Sequence, residues 1–144
     1  MSTFRIFLLA LLASFGTQTF AADLEKLSQK LFPAYVAMNY DSLCSMDDQW
    51  ESIRPVGVHG YAVHYAQHEK DEIIGSLTYD ESLIVLRSAA DAARAEARRQ
   101  LKDHVLAENK SEEAARLNRW CVESAQKFIS GYIARHDLIQ PTVR

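Results

Sequence analysis

The sequence predicts an all-α fold, a single-domain antiparallel bundle of about four helices stapled by one disulfide, and three observations carry that prediction. Apolar residues recur every three or four positions over long segments, which is the helical period. Two of those segments open on a capping box, in which a side chain at each end satisfies the other residue's free backbone donor. No stretch alternates apolar and polar residues convincingly enough for a strand. Short turns near residues 77 and 108 make antiparallel neighbours the natural arrangement.

The first residues read as a secretory signal. Arg5 precedes the apolar run Ile6 to Phe15, which is too short to span a bilayer, and small residues follow at Ala21 and Ala22. Cleavage after Ala21 is preferred because cleavage after Ala22 places the bulky Phe20 two positions before the cut. The alternative is an uncleaved anchor, but the run contains Ser14 and Gly16 and has no basic stop after it. The expected organisation is therefore a signal over 1–21 and one helical domain over 22–144.

Removing Arg5 leaves 15 basic against 19 acidic residues, a formal charge of −4. That balance gives no electrostatic reason to expect nucleic acid or an anionic membrane as partner. No later apolar run is long enough to span a bilayer, so no membrane association is expected after cleavage. Cys44 and Cys121 are the two cysteines, and in an exported protein they suggest a bridge, with a pair of buried free thiols as the alternative. No CxxC or CxxCH occurs.

Past the signal, Asp23 caps a helix with Leu24, Leu27, Leu31, Tyr35 and Met38 on one face. Pro33 lies inside that pattern, so the helix either kinks there or a new one begins. From Asn39 to about His59 the periodicity disappears. Either this is a binding loop presenting Trp50, or a short helix over Asp47 to Arg54 folds onto the core with Trp50 and Ile53 inward and Cys44 as the staple. Its acids, Asp41, Asp47, Asp48 and Glu51, do not have the spacing of a calcium loop and read as solvated.

A second helix is expected from Gly60 to about Leu77, with Ala62, Tyr65 or Ala66, Ile73 and Leu77 inward and Glu69 interrupting the stripe. The longest helical signal runs from Thr78 to about Leu106, opened by the pair Thr78 and Glu81. Leu83, Leu86, Ala90, Ala93, Ala97, Leu101 and Val105 are its expected inner face, and its alanine-rich middle admits a partner helix at short range. The last helix starts near Asn109 or Ser111, with Leu117, Cys121, Ala125, Phe128 and Tyr132 inward.

Three constellations are candidates for chemistry. His64 and His68 are four apart on one helix face with Glu72 a turn beyond, a set that can hold Zn or Cu, although it is not HExxH. His59, His104 or His136 are possible further ligands. Met38 and His136 are a loose match to the axial ligands of a haem held in a bundle. Arg94, Arg98 and Lys102 form a basic stripe that either docks an acidic partner or is a solvated face with helical ion pairs such as Arg87 to Asp91 and Arg99 to Asp103. No GxSxG elbow, Gly-rich phosphate loop or activated cysteine is present.

The functional expectation is a small exported, non-enzymatic binding protein of the periplasm, of inhibitor, immunity or stress type, with an unknown protein partner met through Trp50 and the basic stripe. The alternative is a metal-binding protein using His64, His68 and Glu72; otherwise no cofactor is expected. An acid-stress chaperone is a third, purely compositional, reading.

Overall fold

The computed structural model describes residues 3–46, 50 and 58–137, with side chains for 21, 23–46, 50 and 64–136. Its helices are α1 (Thr3–Cys44), α2 (Val58–Ile74), α3 (Tyr79–Gln100), α4 (Lys110–Trp120) and α5 (Gln126–Asp137). A π turn, Leu101–Val105, extends α3, and a second, Cys121–Ala125, joins α4 to α5, so the chain forms four helical rods among the described residues. No strand occurs among those residues.

The local start signals act as their residue types require. The Thr78 amide donates to Glu81 Oε2 at 2.6 Å while Thr78 Oγ1 accepts from the Glu81 amide at 3.4 Å. At α4, Asn109 Oδ1 accepts from the Glu112 amide at 2.8 Å. Each contact satisfies a donor that the first turn of a helix leaves without a partner. Between α2 and α3 the chain turns at Gly75, where an added Cβ would lie 3.0 Å from the Asp71 carbonyl oxygen.

α1 is the hub. It packs most extensively on α3, and also on α2, α5 and the second π turn. Leu24 and Leu31 share an aliphatic cluster with Ile73 near the end of α2 and with Val85 and Ala89 from the first half of α3. Ala34, Ala37, Tyr40 and Cys44 join a second cluster with Tyr65 and Ala66 from early α2, Ala93 and Ala97 from later α3, and Trp120, Cys121, Ala125 and Ile129. Successive rods therefore alternate in direction, and α1 runs parallel to α3. The alanines of α3 leave room for α1, so this pair can approach closely.

Cys44 and Cys121 are bonded, tying the end of α1 to the second π turn. Both are fully buried. The 77-residue separation corresponds to about 4 kcal/mol of lost loop entropy in the unfolded chain, on a chain-entropy model.

Several expectations need correction. α1 continues through Pro33 to Cys44 instead of ending near Met38. Proline removes one backbone donor and crowds the preceding turn, but Leu31, Ala34, Val36 and Ala37 are all buried around it, and that packing holds the helix together. Asp41 is 3 % exposed, not solvated, and accepts from Trp50 Nε1 at 3.0 Å. Of the two alternatives for Trp50 the inward one is met: it is 0 % exposed, a core residue and not a presented one. The proposed short helix over 47–54, with Ile53, Asp47, Asp48 and Glu51, lies mostly outside the described residues.

α3 buries Val85, Ala89, Ala93, Ala97 and its π turn Val105, so its first half is rotated from the expected Leu83, Leu86 and Ala90 face. In the last rod Trp120 joins Cys121 inside, where its ring packs on Tyr40 and its Nε1 donates to Gln100 Oε1.

Candidate functional site

Among the described residues, titratable side chains from two helices converge where α2 meets the end of α5. Tyr132 Oη donates to Glu69 Oε2 at 3.0 Å, and His136 Nε2 lies 3.3 Å from Glu69 Oε1. The His136 ring stacks on Tyr65 with centroids 4.8 Å apart and meets Tyr132 edge-on at 4.7 Å. Tyr132 and His136 are four apart on α5, and Tyr65 and Glu69 are four apart on α2, so each pair shares one helix face. Glu69, the residue that breaks the apolar stripe of α2, is thus the acceptor around which the cluster closes.

Burial pushes the Tyr132 phenol well above its ordinary range, and the Glu69 carboxylate adds to that by repulsion and by accepting its proton in a hydrogen bond. Both carboxylate oxygens of Glu69 are engaged, and its side chain is only 17 % exposed, as is that of His136. A base in this arrangement would have to give up its internal partners before it took a proton from a substrate. The arrangement is suited to clamping two helices together.

A second polar network joins α1 to α3. Glu96 receives Arg99 at both oxygens, Nε to Oε2 at 2.9 Å and Nη2 to Oε1 at 2.6 Å, with Gln100 Nε2 at 2.9 Å and Tyr40 Oη at 3.5 Å. The Arg99 hydrogen bonds hold the Glu96 carboxyl below the usual carboxylate range against its partial burial. Burial first, then Glu96, pushes the Tyr40 phenol up to about 12. Gln100 Oε1 in turn accepts from Trp120 Nε1 at 3.2 Å. Tyr40 packs edge-on against Trp120 and Phe128, with centroids 5.0 and 5.3 Å away.

The residues marked by sequence for metal binding are placed differently. His64, His68 and Glu72 are all exposed on the outer side of α2. Among the described residues, no group of three or more His, Cys, Asp or Glu side chains is placed to hold a metal ion. The His59 side chain is outside the described residues. His104 is exposed in the first π turn, and His136 is turned to Glu69. Met38, its suggested haem partner, is 37 % exposed at the bundle surface.

The basic stripe is outward. Arg94, Arg98 and Lys102 are exposed on α3. Arg94 reaches Asp91 at 3.2 Å, and the expected pair Arg99 to Asp103 is present at 3.4 Å. Trp50, the other residue expected at an interface, contributes its indole to the core instead. Among the described residues no helix is long and apolar enough to cross a membrane. No protein-family model matches this chain, and no curated protein or solved structure matches it either.

Proposed function

We propose that this chain is an exported, non-enzymatic binding protein of the bacterial periplasm, and that it meets an acidic partner protein through the outer face of α3. The observation that carries this reading is a partition of polar groups. The titratable side chains that converge between helices, Glu69 with Tyr132 and His136 and Glu96 with Tyr40 and Arg99, engage one another. Arg94 and Arg98 on α3 and Lys102 in the π turn that extends it are exposed. Arginine is well suited to such a surface because its planar fork pairs carboxylates at two points. Export is supported by the disulfide, which persists in an oxidising compartment.

The test is a photo-crosslinking amino acid at Ala95, exposed beside Arg94 and Arg98, in cells exporting the full chain. A discrete adduct with one protein, lost in Arg98→Glu, Lys102→Glu, is the expected result. An adduct that survives this charge reversal, or none at all, contradicts the assignment of this face.

A further inference from the structure

We infer that α5 carries a second docking surface, built around Gly131, for an acidic helix of another protein. A shallow groove of about 410 Å³ runs along the outer side of the last rod, lined by Ser124, Lys127, Phe128, Gly131 and Arg135. Lys127, Gly131 and Arg135 follow one another by four positions, as do Ser124 and Phe128, so the five share one face. The groove has cations near both ends, a half-buried aromatic ring in its floor and no acidic side chain in its lining.

Gly131 is the second and independent observation. It lies inside α5, where glycine is less favourable than alanine because it gives up more backbone freedom on folding. At Gly75 the turn supplies a reason for glycine. At Gly131 an added Cβ would meet nothing within 4 Å, so among the described residues no neighbour requires its absence. A glycine on an exposed helix face lets a second helix approach more closely than any other residue does.

Charge selects the occupant. A second copy packed antiparallel across Gly131 would set Lys127 against Arg135 of its partner twice, and like charges so placed repel. The tail beyond α5, residues 138–144, has Arg144 as its one charged side chain and no carboxylate side chain to offer. A helix from a different protein, with carboxylates spaced as Lys127 and Arg135 are and a small or apolar residue between them, matches both the charge and the relief. Lys127 and Arg135 are roughly 12 Å apart along the axis at 1.5 Å per residue, so such carboxylates would sit two turns apart. This surface is separate from the α3 stripe.

The probe is a synthetic alanine-rich helical peptide bearing two glutamates at that spacing, titrated by fluorescence anisotropy against the oxidised full chain. Saturable one-to-one binding is expected, weakened on the order of tenfold or more by Gly131→Leu, by Lys127→Gln with Arg135→Gln, and by replacing the peptide's glutamates with glutamine. Thermal unfolding of Gly131→Leu at or above the midpoint of the unaltered chain establishes that the variant is folded. Arg98→Glu with Lys102→Glu leaves the titration unchanged if the two surfaces are separate, so either can fail alone. Absence of saturable binding overturns the proposal, as does binding that Gly131→Leu leaves intact. So does a dimer abolished by Gly131→Leu, or phosphatidylglycerol vesicles bound in place of the peptide and lost in the same variants.

Discussion

Both sides of α2 carry ring side chains and a glutamate at four-residue spacing, and the two sets do different work. Outward, His64, His68 and Glu72 stand in solvent, a turn apart from one another. Inward, Glu69 is held by a tyrosine and a histidine of α5, with Tyr65 covering the imidazole. Composition and helical spacing do not separate these two sets. What separates them is whether another helix supplies partners, and low dielectric then makes each internal hydrogen bond matter more than a solvated one. Polar residues that face a neighbouring helix hold this bundle together, and those that face water are available to other molecules.

Replacing Trp50 gives the largest expected departure between inside and outside. Trp50→Ala removes a fully buried indole and should cost about 3–5 kcal/mol, measured by denaturant unfolding. A loss of that size marks the residue as core; an unchanged midpoint would return it to the surface.

Glu69→Ala is next, because it leaves the Tyr132 hydroxyl without its acceptor, at an expected cost of about 1–3 kcal/mol. The outward control, His64→Ala with His68→Ala, should stay within about 0.5 kcal/mol. Equal effects from the two variants would erase the distinction between the faces of α2.

The smallest effect is alkaline. Tyr132 and Tyr40, with phenols raised by burial and by a carboxylate neighbour, hold their protons more tightly folded than unfolded. Their contribution is complete below about pH 10, where unfolded tyrosines start to ionise. It is lost as pH rises through the folded value, which for Tyr40 is about 12. Tyr132→Phe and Tyr40→Phe should each flatten the decline in unfolding free energy that begins near about pH 10, and for Tyr40 that decline ends near pH 12.

What could be read in the sequence follows how local each determinant is. Thr78 with Glu81 and Asn109 with Glu112 act within one turn, and both helix starts were legible. The pairing of Cys44 with Cys121 was legible because two cysteines allow one internal bridge. Pro33 was ambiguous because the local signal opposes a helix that packing on α1's neighbours maintains. Glu69 showed only as a flaw in an apolar stripe, since its partners arrive from residues 132 and 136. Trp50 admits an outward and an inward reading, and the partner that decides between them, Asp41, has no local signal that sets it apart from a solvated acid. Trp120 lies one residue off the Cys121 stripe, and the groups that hold it inside, Gln100 and Tyr40, come from other helices, so local spacing does not show its burial.

The most direct test of an exported, disulfide-closed binding protein is a native mass spectrum of the chain purified from the periplasmic fraction without chelator or reductant. The account predicts a chain beginning at Ala22, lighter by two hydrogens than its reduced form and carrying no metal or cofactor mass. An ion beginning at Met1, or one that retains zinc, copper or a cofactor, would contradict it and make the outward histidine face of α2 the site to pursue.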